Sequence, residues 1–156
     1  MPDHAIESLK RIKESGDYVL VSDAVLFDAH DEYDEDGNLI RRFGRDELQE
    51  ICDNTNKRAE NGDLAIIGLG HTIPRDPITK KPVPEKDQPE PVGYGGNLRV
   101  GTFGPEQKTG ILGDLWIPKD RVEETKTYPR RSIELWPKTK IIDWIALLRK
   151  APQRDL

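Results

Sequence analysis

Ser132-Ile133-Glu134-Leu135-Trp136, a break at Pro137-Lys138-Thr139, then Ile141-Ile142-Asp143-Trp144-Ile145-Ala146-Leu147-Leu148 reads as two strands joined by a tight turn. The first strand alternates polar and apolar residues, as a half-buried strand does. The second is apolar almost throughout, around Asp143. Arg130-Arg131 precede the first strand, and one hydroxyl, Ser132, opens it.

Upstream, Gly93–Gly101 and Gly110–Ile117 read as two more strands around a Gly/Pro turn, closed by Ile117-Pro118. A short helix is expected over residues 119–126. Leu64-Ala65-Ile66-Ile67-Gly68-Leu69 is an apolar strand that delivers Gly70-His71-Thr72 at its end. Between them, residues 73–91 hold six of the chain's twelve prolines: Pro74, Pro77, Pro82, Pro84, Pro89 and Pro91. Such a segment cannot build a helix and has little apolar surface to bury, so it is expected to be an extended loop beside the histidine.

The N-terminal third carries the helices. Residues 3–15 place Ile6, Leu9 and Ile12 on one side and stop near Gly16. Residues 45–58 repeat Leu48, Ile51 and Cys52 at helical spacing and end at Asn61-Gly62-Asp63. Between them, Tyr18–Ser22 forms a strand that Ala24–Phe27 continues. The acidic stretch 28–38 reads as a solvated hairpin tip with Asp36-Gly37 in the turn. A calcium loop is the competing reading of that stretch. It needs a bidentate glutamate at its twelfth position, and counted from Glu32 that position is Phe43.

Composition limits the function. With 156 residues the chain suits one domain with a modest core, and no internal repeat is visible. Hydrophobic residues make up 35% and charged residues 34%, and the net charge is −5. No basic excess exists to displace counterions, which argues against nucleic-acid binding. The lone cysteine, Cys52, cannot form an intramolecular disulfide; its acidic neighbours Glu50 and Asp53 favour a buried structural thiol over a catalytic one. No apolar run reaches the ~18 residues that span a bilayer, and no signal peptide opens the chain, so no membrane partner and a cytosolic setting are expected.

The chemistry starts from Ser132 and His71. A serine hydroxyl is a poor nucleophile until a base takes its proton, and histidine titrates in the right range. Of the three histidines, His4 lies near the terminus and His30 in the acidic stretch, which leaves His71 as the base. A strand-end histidine satisfied by main-chain groups is the competing reading. A carboxylate normally orients such a base. Asp143 ranks first, because its neighbours Ile142 and Trp144 make an idle charge costly, and one hairpin register sets it opposite Ser132. Glu134 is the alternative, two residues after Ser132 on the same face of its strand. Asp114 is a third carboxylate on a preceding strand. Arg130 and Arg131 are candidates for stabilising the oxyanion or contacting substrate, with an exposed basic pair as the plain alternative.

Taken in order, Gly70-His71-Thr72, Pro91-Val92-Gly93-Tyr94, Ile111–Leu115, Tyr128–Glu134 and Ile142–Leu148 with Pro152 beyond resemble the capsid maturation (prohead) proteases of tailed phages. The resemblance is especially to the branch similar to the Mu protease-scaffold protein, in a family related to the herpesvirus assemblins. The resemblance covers residues 64–156. It implies an α+β, β-rich fold: a single closed or partly open, mostly antiparallel β-barrel flanked by a few helices. It implies a serine endopeptidase with Ser132 as nucleophile and His71 as base. The family's third member varies, so Asp143 and Glu134 both stay open. The implied substrates and partners are phage scaffold and major capsid proteins and the protease itself, inside the immature prohead in the host cytoplasm. Self-association, as a homodimer or larger, is implied; no metal or organic cofactor is. The family often continues into a helical scaffolding region that this sequence lacks, which implies one protease domain over residues 1–156, truncated or processed. A non-catalytic capsid-assembly module of the same fold is the alternative.

Overall fold

The structure is a computed structural model that describes residues 9–72, 78–136 and 138–149. Its elements in chain order are α1 (Leu9–Ser15), β1 (Tyr18–Asp28), β2 (His30–Tyr33), β3 (Leu39–Phe43), α2 (Arg45–Glu60), β4 (Ala65–Gly68), β5 (Pro91–Phe103), β6 (Lys108–Pro118), α3 (Val122–Thr125), β7 (Arg130–Trp136) and β8 (Ile141–Leu148). Residues 3–8 of the expected first helix and 73–77 of the proline-rich loop lie outside the described residues, as do Pro137, Pro152 and His4.

Six strands form one sheet in the order β1-β6-β5-β4-β8-β7, and β2 and β3 pair as a separate hairpin. The fold is α+β and rich in strand, as expected, but two features of the expected barrel need correction. The sheet is a curled half-barrel and does not close, so β1 and β7 remain as edges. It is also mixed: β4 and β8 run parallel, with Ile66 opposite Trp144 and Gly68 opposite Ala146, whereas β8 pairs antiparallel with β7. The reason is connectivity. β4 is separated from β8 by three strands and a helix, so it enters beside β8 as a crossover and not as a hairpin partner.

α2 is the element that fills the half-barrel. Leu48, Ile51, Cys52 and Thr55 recur on one face and are all buried. They meet Leu26, Ile67, Ile111, Ile142 and Ile145 from the sheet in one core. Asp46 and Glu47 in its first turn and Lys57 and Arg58 in its last complement the helix dipole. Two polar side chains of α2 tie down irregular strands. The Asn56 side chain donates to Leu98 O at 2.8 Å and accepts from Leu98 N at 2.9 Å. That is where β5 breaks its register with β6, between Gly96 and Arg99. The Thr55 hydroxyl accepts from Ile142 N at 2.9 Å, next to the irregularity in the β7–β8 ladder. Each helix side chain thus satisfies main-chain groups that a bulge leaves outside the ladder. Replacing Asn56 by Ala strands both polar groups of the buried Leu98 and is expected to lower stability by about 2 kcal/mol, read as a shift in the urea midpoint.

Cys52 bears out the reading of a structural thiol: it is fully buried, and burial together with the Asp53 charge pushes its pKa up to about 12. The native protein is therefore expected to resist thiol reagents at pH 8 and to label fully once unfolded. Rapid stoichiometric labelling under native conditions would show that α2 is not seated on the sheet.

The acidic stretch forms the hairpin β2–β3, as its turn residues suggest. Gly37 takes φ +84°, and the Asp34 carboxylate accepts from Asp36 N at 2.9 Å and Asn38 N at 2.8 Å. Its hydrogen bonds, from Asn38 first, hold Asp34 below the usual carboxylate range. The expected helix at 119–126 is a 3-10 turn over Lys119–Arg121 followed by α3. The proline-rich loop also departs from a purely extended segment, with a 3-10 turn at Glu85–Asp87 closed by Asp87 N donating to Pro84 O.

Candidate active site on the outer face of β4, β8 and β7

Strand alternation sorts the site. On β8, Ile145 and Leu147 turn into the core, so Trp144 and Ala146 turn outward. Directly opposite residues share a face. Ser132 pairs with Ala146 and Glu134 with Trp144 on one side; Gly68 pairs with Ala146 and Ile66 with Trp144 on the other. Ser132, Glu134, Trp144 and Gly68 therefore lie on one face, away from α2.

Gly68 is there because Trp144 needs its space. A Cβ on Gly68 would stand 1.8 Å from Cζ2 of the indole. Trp144 lies across this bare patch of backbone, only 7% exposed, and its Nε1 donates to Gly70 O at 2.7 Å. Gly70 takes φ +123°, a conformation that L side chains rarely adopt, and this turns the chain after β4. Leu69 N donates to Glu90 O at 3.1 Å, so the end of the proline-rich loop returns beside the same turn.

The turn presents His71 and Thr72 to Glu134. His71 Nδ1 lies 3.1 Å from Glu134 Oε2, and Thr72 N donates to the same oxygen at 2.6 Å. The Thr72 hydroxyl donates to Glu134 Oε1. One carboxylate thus gathers the two residues that follow Gly70. With the Nδ1 proton directed at Glu134, the Nε2 lone pair is the free base of the ring. The imidazole is half-exposed and the carboxylate mostly covered, at 46% and 26% side-chain exposure.

Ser132 sits two residues before Glu134 on the same face, which in a strand is about 7 Å along the chain. The structure therefore brings serine, histidine and glutamate onto one patch. Among the described residues, the Ser132 hydroxyl makes no hydrogen bond, to His71 or to any other group.

The preferred third member is elsewhere. Asp143 falls at the irregularity between the Glu134–Trp144 and Leu135–Ile142 pairs and does not face Ser132. Its carboxylate accepts from Arg58 Nη2 of α2 at 2.9 Å. The apolar neighbours in sequence were read as a reason for chemistry; the charge is instead balanced by a helix arginine. Asp114 is likewise engaged elsewhere. Although burial pushes it up, bonds from Asn97, Asp23 N and Arg99 hold it below the usual carboxylate range.

The arginine pair divides. Arg130 shares the Ser132 face and is exposed. Arg131 alternates to the opposite face, where its Nε donates to Val25 O of β1 at 3.0 Å. It does not face the Ser132 hydroxyl, which corrects its assignment to the oxyanion. Thr72 and Trp144 had no assigned role in the sequence reading. The signal for both was Gly68-Leu69-Gly70-His71-Thr72, two glycines just ahead of a histidine, in a chain with a tryptophan inside its most apolar strand.

A cavity of 730 Å³ elsewhere is lined by none of these residues; Arg11, Glu14, Asp17, Tyr18, Lys119 and Asp120 are among those around it. No helix among the described residues is long and apolar enough to cross a membrane. No family model, curated protein or solved structure matches this chain.

Proposed function

We propose that this chain is a serine endopeptidase in which Ser132 is the nucleophile, His71 the general base and Glu134 the residue that orients it. The observation that carries the reading is the His71–Glu134 contact on the face of β7 that also bears Ser132. Ser132 attacks the scissile carbonyl as His71 Nε2 takes its proton, and the same nitrogen returns that proton to the leaving amine. Glu134 holds the ring in the tautomer with Nε2 unprotonated and stabilises the imidazolium that forms. Arg130, exposed on the Ser132 face, is the arginine assigned to the oxyanion in this reading. Proton transfer requires Nε2 to come within about 3 Å of the hydroxyl, a closure that substrate binding often completes. The open outer face suits an extended polypeptide, and the resemblance to prohead proteases points to phage scaffold and capsid proteins, and the enzyme itself, as substrates during maturation of the immature shell.

The test is Ser132→Ala assayed on a purified scaffold protein. Loss of the nucleophile is expected to lower kcat on the order of 10⁶-fold. Stability should be unchanged, because the hydroxyl holds no partner among the described residues. Persistent cleavage would remove Ser132 from the mechanism. The unbonded Ser132 hydroxyl also favours a second reading, a non-catalytic assembly module that keeps the fold. Under that reading neither protein cleaves, and both bind the scaffold equally.

A further inference from the structure

The half-barrel leaves a seam between its two edge strands, β1 and β7. Arg131 spans it through the bond to Val25 O. A cavity of about 180 Å³ opens there, lined by Val25, Phe103, Pro129, Arg130 and Arg131.

No carboxylate among the described residues pairs with the guanidinium in this seam. Among the described residues, every other half-buried arginine holds a carboxylate: Arg41 has Glu47, Arg58 has Asp143, Arg99 has Asp114 and Arg121 has Glu90. Arg131 has, among the described residues, only a main-chain carbonyl, in a chain with a net charge of −5. Burial pushes its pKa below the ordinary guanidinium value. Taking a cation out of water without an anion is unfavourable, so a buried cation normally has a partner. A guanidinium carries five N–H donors, and one of these is used. No side-chain nitrogen among the described residues is both buried and unsatisfied, so the Nη groups remain reachable.

We propose that the seam cavity is a subsite for an acidic side chain of the peptide substrate, held by Arg131 with Arg130 at its rim. The volume selects the ligand class. Sites for whole small molecules run from about 300 to 1,000 Å³, so this one fits a single side chain. Its walls of Val25, Phe103 and Pro129 suit the methylene stem of a glutamate, and the planar guanidinium suits the carboxylate head. Arg131 immediately precedes Ser132, and Arg130, which shares the Ser132 face, lines the same cavity, so the seam opens beside the nucleophile. A peptide side chain directed past Arg130 has its way into the seam there. The assignment of the ligand as substrate rests on the peptidase reading; the assignment of the site does not.

The experiment follows main-chain amide NMR signals of the full chain with three probes at matched ionic strength: N-acetyl-glutamate methylamide, its glutamine counterpart and sodium sulfate. The glutamate probe is expected to shift Val25, Arg130 and Arg131 saturably. The glutamine probe should bind about tenfold more weakly, as a neutral acceptor does. Arg131→Gln should lose the saturable shift, and Ser132→Ala should keep it, because the hydroxyl is outside the seam. Unmoved signals, or equal binding of the glutamine probe, would overturn the subsite. Sulfate binding as tightly as glutamate would overturn it in favour of an adventitious anion site. These readings use the native protein and need no turnover. Active cleavage with no glutamate response would sink the subsite and leave the peptidase standing; a glutamate response in a protein that never cleaves would do the reverse.

Discussion

Replacing Glu134 by Gln is expected to lower kcat about 10⁴-fold, while Asp143→Asn leaves it within a few-fold. The two carboxylates were close rivals in the sequence, and the structure separates them by partner. Glu134 accepts from Thr72 N and the Thr72 hydroxyl and faces His71 Nδ1. A glutamine there keeps the shape but offers one acceptor oxygen and one donating amide. Turned one way, the amide donates to the Thr72 hydroxyl and leaves only an uncharged oxygen to face His71 and the imidazolium that forms; turned the other, it presents a donor to Thr72 N and His71. Facing His71, it favours the tautomer protonated on Nε2, which cannot accept the Ser132 proton. Asp143 instead balances Arg58 at 44% side-chain exposure. Its loss removes a solvent-screened pair worth less than about 1 kcal/mol. Steady-state kinetics on a scaffold-derived peptide, with the melting temperature of each variant, separates the two roles. A large kcat loss in Asp143→Asn with Glu134→Gln unaffected would overturn the assignment.

Gly68→Ala is expected to lower stability by about 3 kcal/mol, or the melting temperature by about 10 °C, and to disable cleavage together with it. The added methyl would sit 1.8 Å from the Trp144 ring, a distance that no small adjustment relieves. β4 is hydrogen-bonded on both sides, to β5 and β8, so the backbone cannot retreat. The indole must leave, and with it the Nε1 bond to Gly70 O that holds the turn before His71. Stability and chemistry therefore fail through one contact. Combining Gly68→Ala with Trp144→Leu tests this. The double variant should recover part of the lost stability, because the two changes meet in the same space. It should recover little activity, because leucine cannot donate to Gly70. Simple additivity of the two losses would show that the contact is not the cause.

Much of the strand content was legible because short-range signals set it. Pro118 ends β6, and the apolar run 141–148 is β8. Leu48, Ile51 and Cys52 marked the buried face of α2 for the same reason: their spacing alone puts them on one side. Pairing across the sheet was not legible. The hairpin register that would have set Asp143 opposite Ser132 was as consistent with local pattern as the observed one. What selected the observed register was Trp144 lying over Gly68 and Thr55 receiving Ile142 N, contacts between residues far apart in the chain.

The amino-acid order alone determined which groups are available: one serine opening a strand, one histidine closing another, and a glutamate two places beyond the serine. Periodicity of two makes Ser132 and Glu134 share a face wherever β7 lies. Only the tertiary structure decided which acid meets the histidine and which arginine faces outward. Those outcomes depend on a parallel β4–β8 pairing and on a sheet that curls without closing. Both are set by packing against α2 over long chain separations, where local propensity carries no information.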